Sequence, residues 1–355
     1  MILILPCGGE SSRFPGLRPK WLLTQPNGNL MVCDSITKID LQNIEKIVLI
    51  AHKDHLQDKE ASLREAFINS GCNKVVEFFH LEEKTKSQPE TVSLFLQTLL
   101  EDKPFFIKDC DGQFEYTPAP KNEVATSDIA NITGSSTTSK SYCKLNDDGN
   151  ITAIVEKQVI SRDFCVGGYS FQSSKKFLNS FNKIKHLENL YVSHVIEHMI
   201  LKEDSNFKAK RCSHYEDWGT VSDWHRYKKT FATLFVDIDG VLFHNSSAYF
   251  EPRWGESKEI EKNIATIKKL IESERVQVIL TTARSKKYAE VTEAQLAAAG
   301  IKYEQIIYDM FHAQRIIIND YSKTNPYKSC DAINIKRDSD DLEDMILASK
   351  MLGDK

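Results

Sequence analysis

The chain has 355 residues, 41% of them apolar and 27% charged, with a formal net charge of −4. That length favours two domains over one, and the slight negative charge excludes a general attraction to nucleic acid or an anionic membrane, so any phosphate site has to be a local constellation. No apolar run approaches the roughly 18–20 residues that span a bilayer. Eight scattered cysteines with no C-x-x-C pair suit a reducing cytoplasm better than a disulfide framework or a zinc site.

Apolar runs of strand length alternate with helical patterns, which predicts an α/β fold. The opening Met1-Ile2-Leu3-Ile4-Leu5-Pro6 lacks the basic flank and length of a signal peptide and reads as a first strand. Strands are expected at 2–5, 46–51, 75–81, 105–108, 151–155 and 166–171. Between them, Val92, Phe95, Leu96 and Leu99 share one face of a helix over 91–100. The Ser/Thr/Asn-rich stretch from Thr126 to Lys140 reads as a solvated loop or hairpin arm, and Asn146-Asp147-Asp148-Gly149-Asn150 as a tight turn. A second α/β series starts near residue 231. Thr233-Leu234-Phe235-Val236 has the pattern of a buried strand, and Ile260, Ile264, Ile267 and Ile271 mark a helix. A strand at 276–280, a helix at 287–299 and a strand at 315–318 follow. The boundary is placed between 229 and 230, with no Gly/Pro-rich linker.

The strongest motif follows the first strand: Cys7-Gly8-Gly9-Glu10-Ser11-Ser12-Arg13, then Pro19-Lys20. Gly8 and Gly9 let backbone N–H groups approach a phosphate. Arg13 and Lys20 can neutralise it, one as a fork and one as a point charge. The spacing is neither that of the Walker loop nor that of the dinucleotide fingerprint. With these residues the sequence resembles the sugar-phosphate nucleotidyltransferases, which have a GT-A-like, Rossmann-type mixed sheet. Four more segments match in order: Lys108-Asp109-Cys110-Asp111, Glu156-Lys157, Val166-Gly167-Gly168-Tyr169 and Glu216-Asp217-Trp218-Gly219-Thr220. The resemblance covers about residues 1–225. It implies Asp111 and Asp217 as Mg²⁺ ligands, Arg13 and Lys20 at the β- and γ-phosphates, and Lys157 at the acceptor phosphate. It also implies Gly168 in the acceptor pocket and Gln88 in a base-contacting loop.

In the second half, Phe235-Val236-Asp237-Ile238-Asp239-Gly240 is a strand ending in Asp-x-Asp-Gly. Two carboxylates so spaced can face one Mg²⁺, one attacking phosphorus while the other handles the proton. The motif matches the haloacid-dehalogenase-like (HAD) phosphatases. That resemblance implies Asp237 as the nucleophile of an aspartyl-phosphate, Asp239 as the general acid–base, and Asp320 as a third metal carboxylate, with Asn319 replacing an acid beside it. Thr282, or alternatively Thr281, would bind phosphate. The family's third-motif Lys has no counterpart, so Arg315 or His312 would stand in for it. About 40 residues separate the first two motifs, which leaves room for a flap but no sizeable cap. Residues 237–337 are also similar to small HAD proteins associated with capsule synthesis.

These readings lead to an expected cytoplasmic, bifunctional, Mg²⁺-dependent enzyme. One domain joins an NTP to a phosphorylated sugar or polyol and the other removes a phosphate, in the making of a surface-polysaccharide precursor. The alternatives are a transferase whose HAD domain is structural or regulatory, and a nucleotide-binding sensor without turnover. No nucleic-acid or membrane partner is expected, and a homo-oligomer is compatible with the sequence. The base, the acceptor and the phosphatase substrate stay open.

Overall fold

In the computed structural model, which describes residues 1–132, 137–322, 324 and 329–349, the chain divides into two compact units, Met1–Trp224 and His225–Lys355. The division falls a few residues before the boundary expected at 229/230, within the helix Val221–Lys228.

Eleven strands belong to the first unit among the described residues. They are β1 (Ile2–Pro6), β2 (Lys46–His52), β3 (Val75–Leu81), β4 (Phe105–Lys108), β5 (Gly112–Glu115), β6 (Glu123–Asp128), β7 (Ser141–Leu145), β8 (Ile151–Glu156), β9 (Asp163–Phe171), β10 (Lys208–Arg211) and β11 (Ser213–Asp217). The main sheet has the order β10-β6-β9-β4-β1-β2-β3, with the β7–β8 hairpin attached to β9. Strands β4, β1, β2 and β3 are mutually parallel, whereas β9 runs antiparallel to β4 and β6. Strand β1 is buried on both faces: Ile2 and Ile4 enter one core and Leu3 and Leu5 the other. A continuous run of branched apolar residues is what a central parallel strand requires. Helix α4 (Gln88–Leu96) is capped by Ser87, whose side chain accepts from the Glu90 N–H, and has Pro89 in its first turn. It buries Val92, Phe95 and Leu96 on the face expected for them.

Chain reversals at the sheet's centre decide where a ligand can sit. From β1 the chain goes to β2 on one side and later returns through β4 on the other. The carboxyl ends of β1 and β4 therefore mark the point where the strand order reverses, the usual place for a ligand in an open α/β sheet.

The second unit has a parallel sheet of three described strands, β12 (Ala232–Asp237), β13 (Val276–Thr281) and β14 (Gln305–Ile307), in that order. Helices α8 (Glu261–Glu272) and α9 (Ala289–Ala298) lie between them in the chain, and α10 (Leu342–Ser349) follows. Ile264, Ile267, Val278, Leu280, Leu296 and Ile346 are in its core.

Three expectations need correction. Thr126, Ser127 and Asp128 belong to β6 rather than to a solvated loop, and Thr126 and Ser127 are buried against β9. The polar run looked loop-like, but pairing with a central strand overrides composition; residues 133–136 of that stretch lie outside the described residues. Strand β12 is buried on one face only: Phe235 is 50% exposed. The expected strand at 315–318 does not form; Ile318 is 93% exposed and the segment pairs with none of the described strands.

Because Ile4 is fully buried in the central strand, Ile4→Ala is expected to cost about 2–5 kcal/mol. Urea unfolding followed by tryptophan fluorescence reads this loss, and an unchanged midpoint would contradict the packing.

Candidate functional site

The loop after β1 begins where the Cys7 N–H donates to the Ile50 carbonyl (2.7 Å). Ser11 sits in the left-handed region at φ 51°, and its hydroxyl accepts from the Lys20 N–H (3.1 Å). The two ends of the loop are thereby tied, which fixes where Lys20 stands. Gly8 packs closely: a β-carbon there would meet a Leu81 methyl at 2.6 Å and the Thr91 hydroxyl at 3.1 Å, whereas Gly9 faces open space.

Asp111 lies just past β4. Lys20 Nζ donates to its Oδ2 at 2.5 Å and Arg13 at 3.3 Å. Burial pushes the Asp111 carboxyl up, but the adjacent ammonium and guanidinium outweigh it and hold the group well below the usual carboxylate range. For Lys20 the balance has the same outcome: burial pushes the ammonium down, and Asp111 more than compensates.

Asp217 reaches the same place from the end of β11. The antiparallel β5–β11 pair sets Asp217 opposite Gly112, and the Trp218 N–H donates to the Asp111 carbonyl (2.8 Å). Asp217 Oδ1 accepts from the Gly219 N–H (2.9 Å), and its Oδ2 is ion-paired with Lys140. Gly219 leaves the space between them open. A β-carbon there would stand 3.0 Å from Asp217 Oδ1, 3.3 Å from Arg13 Nη1 and 3.4 Å from Asp111 Oδ2. Two carboxylates thus converge on one small volume with the Arg13 guanidinium as a counter-charge beside them, and their oxygens are ligands that suit a hard cation such as Mg²⁺.

Around this centre lie groups whose contacts the motifs did not specify, and one, Lys140, that no motif named. Gln88, at the start of α4, donates through Nε2 to Asp109 Oδ1. Asp109 is pressed against the bare Cα of Gly167, and burial, helped by the neighbouring charge of Asp111, pushes its carboxyl up to about 6. Lys108 is fully buried, donating to the Asp109 and Gly112 carbonyls (2.6 and 2.8 Å) and lying 4.6 Å from the Phe114 ring. It staples the turn that presents Asp111, and burial pushes its ammonium down to about 8. Lys140 had no motif to announce it; its signal was a lone cation at the end of a Ser/Thr-rich stretch, just before a strand.

Two expected acceptor residues are less directly placed. Lys157 adopts φ 58°, donates to the Tyr191 hydroxyl and lies 4.6 Å from that ring; its N–H donates to the Lys140 carbonyl (2.8 Å), so the two lysines flank one hairpin. Gly168 is enclosed by the core: a β-carbon there would meet Phe114 at 2.7 Å, Ala125 at 3.0 Å and Phe106 at 3.1 Å. Its lack of a side chain serves packing in the core.

In the second unit, Asp237 and Asp239 stand at the end of β12. Burial pushes the Asp237 carboxyl up against the opposing pull of Arg315, whose guanidinium is 3.1 Å away. Asp239 is gripped by Arg284, which donates from Nε to Oδ2 (2.9 Å) and from Nη2 to Oδ1 (2.8 Å), while Ser246 also donates to Oδ1 (2.8 Å). Arg284 is fully buried and donates onward to Thr292 and Gln295. Thr282 is buried as well, its hydroxyl accepting from the Arg284 N–H (3.0 Å). The expected metal set of Asp237, Asp239 and Asp320 is not assembled: among the described residues no three acidic, His or Cys groups cluster to hold a metal. Without a strand over 315–318, nothing carries Asp320 to the end of β12. Arg315, by contrast, does reach Asp237.

No family model matches the chain, and no curated protein does. Solved structures do. The nucleoside-diphosphate-sugar pyrophosphorylase from Vibrio cholerae RC9 aligns with a TM-score of 0.53 at 18% identity, covering 64% of this chain and 100% of that one. A UDP-glucose pyrophosphorylase complexed with UDP-glucose gives 0.50 at 13% identity, covering 64% and 96%. The likeness is one of fold: a mixed α/β architecture shared with these proteins over a share of the chain about as long as the first unit. No helix among the described residues is long and apolar enough to cross a membrane.

Two substitutions test this geometry. At Gly167, with φ +84° and Asp109 Oδ2 only 2.5 Å from a β-carbon, Gly167→Ala should cost about 1–3 kcal/mol through backbone strain alone, read as a lowered urea midpoint. Lys108 gives a pH signature. Its folded-state value near 8 lies below the ordinary 10.5, so the unfolded chain binds more protons between those values and stability rises with pH across that window. Asp109, Asp111, Cys110 and Cys212 face this ammonium and oppose its shift. Lys108→Met should lose the rise between pH 8 and 10.5; parallel stability curves for the two proteins would contradict it.

Proposed function

We propose that the first unit is a nucleotidyltransferase that joins an NTP to a phosphorylated sugar or polyol and releases pyrophosphate. The convergence of Asp111 and Asp217 beside Arg13, Lys20 and the glycine loop carries this reading. The fold shared with sugar-nucleotide pyrophosphorylases supports it.

In this reaction a phosphate oxygen of the acceptor attacks the α-phosphorus and the bond to pyrophosphate breaks. The protein's part is positioning and charge neutralisation. The N–H groups of the Gly8–Gly9 loop receive the triphosphate. Arg13, more than half exposed, can swing from Asp111 to the β- and γ-phosphates, and Lys20 offers a point charge beside them. Lys157, released from Tyr191, meets the acceptor phosphate. Gln88, oriented by Asp109, faces the base. Asp111 and Asp217 would hold Mg²⁺, which supplies positive charge where the α-phosphate gathers negative charge.

For the second unit, the Asp-x-Asp-Gly motif supports a phosphomonoester hydrolase in which Asp237 forms an aspartyl-phosphate. Arg315 takes the place of the motif's missing Lys. The union of both activities in one chain supports a shared route to a surface-polysaccharide precursor. One observation favours a second reading, in which this unit is structural or regulatory: the buried fork of Arg284 occupies both oxygens of Asp239, the group that would have to move a proton.

Pyrophosphate release across four NTPs and a panel of phosphorylated sugars and polyols tests the first activity. Asp111→Asn and Asp217→Asn should each lower it by about 100-fold or more; full activity in both variants sinks the transferase assignment. Asp237→Asn should abolish phosphate release from p-nitrophenyl phosphate while leaving pyrophosphate release unchanged. If the unaltered protein releases no phosphate from this ester or from phosphorylated sugars, the structural or regulatory reading stands.

A further inference from the structure

Lys140 is held in place from two directions. Its carbonyl accepts from the Lys157 N–H at the mouth of the β7–β8 hairpin. Its Nζ donates to the Tyr215 hydroxyl (2.8 Å) and to Asp217 Oδ2, lies 5.5 Å from the Tyr215 ring, and is on a side chain only 15% exposed. The three cations of the site are not equivalent. Arg13 and Lys20 belong to the glycine loop and both sit on Asp111, whereas Lys140 comes from the start of the β7–β8 hairpin and pairs with Asp217.

An ammonium and a divalent cation on one small carboxylate repel each other strongly in a partly buried site, where the effective dielectric constant is low. Asp217 has one oxygen committed to the Gly219 N–H and the other to Lys140. Each oxygen has a second lone pair open to a metal, but a divalent ion bound there stands against the Lys140 ammonium, so that contact is the one loading disfavours. The backbone N–H, being uncharged, has no such conflict and cannot leave without moving the chain. The ammonium, on a flexible stem, can.

We propose that Lys140 is a built-in counter-cation for Asp217 that a divalent ion displaces, so that this lysine sets the metal concentration at which the first unit loads. Lys140 acts through Asp217 and is a positioning residue. Before loading, it balances a nearly buried carboxylate and keeps it aimed at the space beside Gly219. After loading, its ammonium is free to meet the phosphates that accompany the metal. The inference rests on the reading of Asp111 and Asp217 as the metal-holding pair.

The test is direct titration of the full-length protein with Mn²⁺ alone, without nucleotide, following free Mn²⁺ by electron paramagnetic resonance. The proteins compared are wild type, Lys140→Met, Lys140→Arg and Asp217→Asn. Lys140→Met should bind Mn²⁺ about tenfold more tightly than wild type, since the competing charge is gone. Lys140→Arg, which keeps the charge, should stay near wild type, and Asp217→Asn should lose the site. Thermal unfolding gives a second readout: Lys140→Met should melt lower than wild type without metal and gain more on adding Mn²⁺. Should Lys140→Met fail to fold, Lys140→Gln, which keeps a neutral donor, is put to the same comparison. Equal or weaker Mn²⁺ binding in these variants, with Asp217→Asn still abolishing it, overturns the inference and spares the metal reading. Undiminished binding in Asp217→Asn overturns the metal reading itself.

Discussion

The first unit is organised around a single electrostatic constraint: two carboxylates must stand close together, nearly out of water, without driving each other to protonate. Each is therefore given its own cations. Asp111 has Lys20 and Arg13, and Asp217 has Lys140 and a backbone N–H. Like charges brought together by folding are affordable only where such partners lie within a few ångströms. Much of the surrounding architecture meets that demand. The β5–β11 pair delivers Asp217 opposite Gly112, Lys108 staples the turn between β4 and β5, and the Ser11–Lys20 contact closes the glycine loop.

The same arrangement makes the site responsive. Carboxylates neutralised by flexible side chains can exchange those cations for others, because Lys and Arg stems reorient without moving the backbone. Arg13, more than half exposed, is free to do so at little cost. Lys20 and Lys140 are more enclosed, and each is defined by the carboxylate it serves. On the proposed reading such a site would bind its substrates by substitution, with a phosphate or metal ion taking over a contact that already exists, and would never pass through a state with naked buried charge.

How far the sequence revealed this depends on whether the signal was local. The core strands were legible because buried parallel strands need unbroken apolar runs, as in Ile2-Leu3-Ile4-Leu5, and the helix carrying Val92, Phe95 and Leu96 because periodicity is local too. Arg13, Lys20, Asp111 and Asp217 were legible by motif, and the fold brings them together. Lys140 was not, since its importance arises only when the fold brings the residue before β7 against Tyr215 and Asp217 of β11. The burial of Thr126 and Ser127 was hidden for the same reason: nothing in a polar run shows that β9 will lie beside it. Ile316, Ile317 and Ile318 failed in the opposite sense, having strong strand character but no described strand paired with them.

The second unit carries a similar acidic motif under a different electrostatic regime, and the contrast bears on its chemistry. Asp237 faces Arg315, which is about as exposed as the carboxylate it touches, so that contact is exchangeable in the manner of Arg13 and Asp111. Asp239 faces Arg284, fully buried and further committed to Thr292 and Gln295. Separating a buried, hydrogen-bonded pair leaves an uncompensated charge and costs about 3–5 kcal/mol, or roughly two to four powers of ten in the population of the open form. In the phosphatase reading proposed above, phosphoryl transfer to Asp237 would begin without that expense. Proton transfer by Asp239 would not, unless the substrate's own charge replaced the guanidinium. Turnover on that reading would be limited by whether the ester can break the Arg284 fork, more than by the nucleophile.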